Sequence, residues 1–341
     1  MDLRPYFFGS VTKYNSRQDP ALFPVRRVRQ DRRMIVQFSR RGFCQAMGAA
    51  FAVAVSPSAR GEPTSSVMLE RSIPSTGERL PVIGLGTSGT FDVGSAPEER
   101  KPLTEVLAIL RESGGKVLDT SPMYGRAEQV AGELIQSTRS RPNVFLATKV
   151  WTTGAAAGLE QIETSMRLLR SPTLDLVQVH NLVDLDTQLA TLRELKKQGR
   201  VRYIGVTHYT VASHEELERV LTRESIDFVQ FNYSIATRNA ERRLLPMAGE
   251  RRVAVLVNRP FEDGALFGRV RGTALPPWAA EIDCATWAQF FLKFILGHPS
   301  VTCIVPATAS PRHMRDNAAA GVGRMPDAAM REQMARYFDS I

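Results

Sequence analysis

Four residues in the middle of the chain carry side chains that together could make one acid–base set: Asp119, Tyr124, Lys149 and His180. A free phenol, with a pKa of about 10, is a poor proton donor near neutrality. An ammonium such as Lys149 beside Tyr124 favours the phenolate and lowers that value, and Asp119 would keep the ammonium charged and aimed. An imidazole facing the phenol would orient and stabilise an oxygen on which negative charge develops. Taken singly, each residue has an ordinary explanation: a solvated salt bridge, a loop anchor or a satisfied core histidine. The spacing argues otherwise. Asp119 to Lys149 is 30 residues and Lys149 to His180 is 31, which is one strand–helix unit each time.

The flanking sequence has the elements such spacing requires. Short β-branched runs recur at 81–87, 116–120, 144–150, 174–180, 201–207, 228–233, 253–257 and 301–305. Amphipathic stretches lie between and after them, at 103–112, 127–136, 159–169, 189–197, 213–221, 240–248, 286–296 and 312–319. Eight strands, each followed by a helix, predict an α/β fold of the (β/α)8 TIM-barrel type over residues 66–341, with no linker to divide it. An open doubly wound sheet is the runner-up, but no GxGxxG follows a first strand. Residues 68–81, turning at Thr76-Gly77-Glu78, read as an N-terminal hairpin able to plug the barrel bottom, and a helical tail ends the chain. Residues 262–285 read as one long irregular stretch, a candidate lid. Side chains at the C-terminal strand ends converge on one face, so Asp119, Tyr124, Lys149 and His180 should meet there.

The segments Val-Leu-Asp119-Thr-Ser-Pro-Met-Tyr124-Gly, Ala-Thr-Lys149-Val-Trp and Val-Gln-Val-His180-Asn resemble the motifs of the aldo-keto reductases. The similarity runs from about Ile73 to the end and includes Val201-Arg-Tyr-Ile-Gly-Val-Thr and Asp227-Phe-Val-Gln-Phe-Asn-Tyr. It implies reduction of an aldehyde or ketone, or the reverse, with hydride from a nicotinamide dinucleotide and a proton from Tyr124. The cofactor contacts it implies are Thr87, Thr207, His208, Gln230, Asn258, Thr308, Arg312 and Asn317. His208 stands where the family usually has Asn, and keeps a donor and an acceptor. Asn258 stands where an aromatic often stacks on the nicotinamide. Ala307 and His313 replace the Lys and Arg often used for a 2′-phosphate, a role open to Arg312 or Arg315, and NADP(H) is favoured over NAD(H). The start of the final strand–helix unit is an anion site on physical grounds. Trp151 and Phe261 are candidate walls of the substrate pocket. The alternative is a nicotinamide-binding subunit that senses redox state with little turnover. A metal-dependent barrel hydrolase is disfavoured, since only five histidines exist and no paired-histidine strand is present, and no metal site is expected.

The net charge of +9 is distributed unevenly. Of 44 Lys+Arg and 35 Asp+Glu, residues 1–60 hold 11 and 3, leaving 33 and 32 for the rest. A near-neutral body behind a basic leader argues for targeting and against a nucleic-acid-binding face. Ser39-Arg40-Arg41-Gly42-Phe43 precedes an uncharged run from Gln45 to Val55, too short to span a bilayer. The arrangement resembles a twin-arginine export signal, with the export machinery as its partner, a periplasmic or exported destination and no stable membrane anchor. Met34 is a candidate true start. Three cysteines without CxxC spacing exclude a disulfide scaffold, and Cys284 and Cys303 read as buried free thiols.

Overall fold

A computed structural model describes residues 67–341; the leader, with its Arg40-Arg41 pair, lies outside the described residues. In chain order the strands are β1 (Glu70–Ser72), β2 (Arg79–Pro81), β3 (Leu85–Gly86), β4 (Val117–Asp119), β5 (Phe145–Val150), β6 (Leu174–His180), β7 (Val201–Thr207), β8 (Phe228–Asn232), β9 (Ala254–Asn258) and β10 (Cys303–Ile304). The α-helices are α1 (Pro97–Glu112), α2 (Ala127–Ser137), α3 (Ala155–Leu168), α4 (Leu185–Lys197), α5 (His214–Arg223), α6 (Leu244–Glu250), α7 (Ala265–Arg269), α8 (Trp287–Leu296), α9 (Pro311–Ala319) and α10 (Ala328–Asp339).

Strands β3 to β10 form one parallel sheet in sequence order. Bridges from Ile83 to Ile304 and from Gly86 to Ala307 bring its two edges together, so the sheet curls into a barrel with the helices outside. The runs that form β5 and β6 are buried along their whole length, as strands covered on both faces must be. Inward-facing residues alternate with outward ones. Val117, Phe145, Ala147, Leu176, Tyr203, Phe228, Leu256 and Cys303 fill the interior as one apolar cluster, and Ile73 and Leu80 of the β1–β2 hairpin join it. The hairpin therefore plugs the bottom, turning at Gly77, whose φ of 80° suits glycine.

Carboxylates at the strand starts fasten neighbouring strands. Asp175 accepts a hydrogen bond from the Leu146 amide at 2.8 Å and pairs with Arg202 at 2.7 Å, while Asp227 accepts from the Ile204 amide at 2.9 Å and from Lys196. Each satisfies backbone that strand pairing leaves open. Helix α8 is apolar nearly all round and is buried between the barrel and α10; Phe291 meets Phe338 at 5.7 Å between ring centres. Its one charge, Lys293, is spent on the carbonyls of Val322 and Arg324. Cys284 and Cys303 are buried free thiols.

One expectation changes. Residues 262–285 are not irregular throughout: they contain α7 and a 3-10 turn at Pro277–Ile282. Five residues of α7 are too few to show helical periodicity in the sequence. Among the described residues no helix is long and apolar enough to cross a membrane.

Candidate active site

Topology delivers the four residues to one place. Asp119 ends β4, Lys149 is the penultimate residue of β5, and His180 ends β6. Tyr124 is carried by a tight turn after β4, closed by its own amide to the Ser121 carbonyl at 3.0 Å. Gly125 follows at φ 59°, and a Cβ there would come within 2.4 Å of the Asp92 carboxylate. That carboxylate accepts from the Arg126 amide at 3.1 Å and ties the turn to the preceding loop.

Lys149 is 1% exposed. Its ammonium donates to Asp119 Oδ2 at 2.8 Å and to the Thr120 carbonyl at 2.7 Å, and Nζ lies 5.0 Å from the centre of the Tyr124 ring. Burial opposes its charge, but Asp119 and then Tyr124 outweigh burial and hold it above the ordinary lysine value. Tyr124 departs from expectation. Burial pushes the phenol above its ordinary value, Lys149 pulls it back only in part, and the Asp119 charge adds to the rise. The carboxylate that steadies Lys149 also weakens its effect on the phenol. Tyr124 is thereby a fully protonated donor at neutrality.

His180 meets Tyr124 edge to face, with ring centres 6.3 Å apart. Burial, followed by the Lys149 charge and His208, lowers its pKa to about 3, so it is a neutral imidazole. Ser121 Oγ accepts from the Met123 amide at 3.2 Å and lies 3.3 Å from His180 Nδ1. With the hydroxyl proton donated to Nδ1, the ring proton sits on Nε2, available to an oxygen in the site.

On the other half of the barrel mouth, Thr207 donates to Gln230 Oε1 at 2.7 Å, and both are buried. Gln230 Nε2, Asn181 Oδ1 and Asn258 Oδ1 are buried without a partner. A free amide donor and free amide oxygens suit a primary carboxamide such as that of nicotinamide. His208 does not keep its donor and acceptor for that purpose. Nδ1 accepts from the Tyr209 amide at 2.9 Å, and Nε2 lies 3.0 Å from Ser213 Oγ. Both nitrogens are used inside its own loop. Asn181 is the residue that sequence reasoning passed over. It follows His180 at φ 52°, a left-handed conformation that asparagine tolerates, and that tolerance just after a strand end was the available signal.

The remaining predicted residues occupy varied positions. Thr87 Oγ1 donates to the Asp119 carbonyl at 3.1 Å, at the end of β3. Asn258 Nδ2 donates to the His208 carbonyl at 3.2 Å. Thr308 and Asn317 are buried, Thr308 Oγ1 accepting from the Ser310 amide at 3.0 Å. Arg312 is exposed in the first turn of α9, which Ser310 caps through the His313 amide. Trp151 stands exposed at the mouth, its main chain held by Gln161 on both sides. Phe261 turns away, packing on Phe267 at 5.1 Å, which in turn packs on Phe291 of α8. A cleft of about 240 Å³ beyond β7–β9 is lined by Tyr209, Asn232, Ser234, Arg259 and Glu262 among others, and Asp119, Tyr124, Lys149 and His180 do not border it.

The chain is similar in sequence and in shape to proteins named as reductases. The methylglyoxal reductase YeaE of Escherichia coli (strain K12) is 30% identical over 249 residues, covering 70% of this chain and 85% of the relative. The aldo-keto reductase YhdN of Bacillus subtilis (strain 168) is 28% identical, covering 58% and 64%. Among solved structures, an aldo-keto reductase from Klebsiella pneumoniae in complex with NADPH aligns with a TM-score of 0.66 at 27% identity, over 80% of this chain and 96% of that one. The sequence model of the Aldo/keto reductase family matches residues 82–334, and the chain belongs to that family.

Proposed function

We propose that the protein reduces a small aldehyde or ketone to an alcohol, or runs the reverse reaction, with Tyr124 as the proton donor. The observation that carries this is the Lys149 ammonium, enclosed between Asp119 at 2.8 Å and the Tyr124 ring at 5.0 Å. Reduction puts negative charge on the carbonyl oxygen, and that oxygen must receive a proton. Held between Tyr124 Oη and His180 Nε2–H, the oxygen meets two donors fixed before reaction, so no reorganisation is needed as charge builds. Lys149 stabilises the phenolate left behind, and Asp119 keeps the ammonium in place. Asn181, Thr207 and Gln230 would hold the carboxamide of a nicotinamide dinucleotide, which when bound would supply the hydride. NADP(H) is preferred: Klebsiella structural relatives are in complex with NADP or NADPH, and the exposed Arg312 at the α9 N-terminus offers its 2′-phosphate a partner. The methylglyoxal reductase relative favours a short, polar oxoaldehyde over a bulky ketone.

Purified protein with NADPH and methylglyoxal, then a panel of aliphatic and aromatic aldehydes, should consume NADPH in proportion to enzyme. Tight NADPH binding without turnover on the whole panel would instead identify a redox-sensing subunit.

We further propose that the leader exports the protein through the twin-arginine route. The clustering of its excess positive charge in residues 1–60, with Arg40-Arg41 before an uncharged run, supports this. Replacing Arg40→Lys together with Arg41→Lys should hold the protein in the cytoplasm, and unchanged fractionation would count against the signal.

A further inference from the structure

Inside a barrel of this kind, inward side chains from alternate strands meet in layers. One layer can be followed through the strand pairing. Asp119 pairs with Ala147 and Ala147 with Leu176, and Gln178 stands two residues above Leu176 on β6. The step then repeats: Gln178 pairs with Gly205 and Gly205 with Phe228, and Gln230 stands two residues above Phe228 on β8. Asp119, Gln178 and Gln230 thus occupy one level, all buried; on the strand between the two glutamines, the bare Gly205 pairs with Gln178 and Thr207 pairs with Gln230. Gln178 also pairs directly with Lys149, so their side chains leave neighbouring strands on the same face.

At this level four buried polar atoms have no partner: Asp119 Oδ1, Gln178 Oε1, Gln178 Nε2 and Gln230 Nε2. Their companion atoms are taken, Asp119 Oδ2 by Lys149 and Gln230 Oε1 by Thr207. The unpaired set is complementary, with two oxygens to accept and two amide nitrogens to donate. An amide enclosed with neither end bonded is costly and rare, so a complementary set at one level points to a shared network.

The geometry points to Gln178 as a positioning residue that donates toward Asp119 Oδ1 and accepts from Gln230 Nε2, each across an enclosed water. This rests on the reductase reading above. The network joins the Asp119–Lys149 pair to the Thr207–Gln230 clamp beneath the nicotinamide site. A hydrogen bond donated to Asp119 Oδ1 fixes the direction of the carboxylate, so that Oδ2 stays on Lys149 beside Tyr124. Gln178 itself touches neither substrate nor reacting atoms.

The test compares Gln178→Met, close in volume and apolar, with Gln178→Glu in the full chain, by melting temperature and by kcat as a function of pH. Gln178→Met should lower kcat roughly tenfold, the scale of losing one hydrogen bond to a charged group. The wild-type pH profile is the reference for both variants. Gln178→Glu should depart from it, failing when ionised beside Asp119 and recovering at lower pH, where its protonated carboxyl can donate. Melting needs no turnover: a network member replaced by Met leaves the melting temperature unchanged or lower. A higher melting temperature in Gln178→Met, with both pH profiles following wild type, would overturn the proposal and mark Gln178 as an unpaired passenger. Should wild type not turn over at all, the reductase reading fails, and the melting comparison still decides the network.

Discussion

The two halves of the barrel mouth hold their polar groups in different ways. On the β4–β6 side, Lys149, Asp119 and His180 are buried and close together; Asp119 pairs with Lys149 and raises its proton affinity, and the Lys149 charge adds to burial in lowering that of His180. On the β7–β10 side, beyond the buried Thr207–Gln230 pair, His208 is turned into its own loop and Arg312 is left open at the start of α9. On the proposed function, the first half would serve chemistry on atoms always in the same place. The second would accept a long, flexible ligand that brings its own hydrogen bonds and charge. Substitutions should therefore have large and coupled effects on the first side, and smaller, separable ones on the second.

Lys149→Met should have the largest effect. It leaves Asp119 as an unpaired buried charge, a change that costs about 3–5 kcal/mol of stability in comparable sites, and it removes the cation from the phenol. The melting temperature and activity should fall together. Tyr124→Phe deletes only the hydroxyl from a partly buried ring, so stability should hold while kcat/KM drops about 10³-fold, the scale of a lost general acid. NADPH affinity, read by fluorescence titration, should stay within about threefold of wild type. Stable, NADPH-binding Tyr124→Phe protein that still turned over near the wild-type rate would dissolve the contrast between the two halves.

How much of this could be read from the residues differs between the halves for a physical reason. Asp119, Lys149 and His180 sit at strand ends, and a repeat of 30 and 31 residues places strand ends on one face whatever the loops do. β6 and β7 lie where alternating and fully apolar runs put them, at Leu174–His180 and Val201–Thr207. His208, Asn258 and Phe261 sit just beyond strands, where loop conformation decides direction. Arg259, Glu262 and Asp263 all adopt left-handed backbone, which no periodicity reveals. Phe261 consequently packs toward α8, and His208 folds onto Ser213. The net rise in the Tyr124 pKa was hidden for a related reason. A motif shows that Lys149 is near, but not that burial outweighs it.

A third prediction uses pH to separate chemistry from stability. Burial lowers the pKa of His298 from 6.5 to about 4 in the folded protein. Between those values the unfolded chain takes up a proton and the folded protein does not, so stability is lost as pH falls from 6.5 toward 4. His180, lowered to about 3, adds a loss over the same interval and beyond. The melting temperature of wild type should decline below pH 6.5. His298→Gln lies away from the mouth and should recover roughly 5 °C of that decline near pH 4 with kcat unchanged. An equal decline in the variant would remove His298 as a source.

The smallest expected effect belongs to the exposed side. Arg312 makes no hydrogen bond or ion pair among the described residues and stands in the first turn of a helix whose N-terminus already favours an anion. Removing it costs the fold nothing that the structure shows, so Arg312→Ala should melt with wild type. In water an exposed guanidinium–phosphate contact is screened, and its loss should weaken NADPH binding about three- to tenfold. NADH has no 2′-phosphate, so its affinity should not move. The ratio of the two dissociation constants, measured at low and then at high salt, isolates this contact, because salt should erase most of the difference. An equal loss for both cofactors would place Arg312 on the shared pyrophosphate, and no loss for either would pass the 2′-phosphate to Arg315.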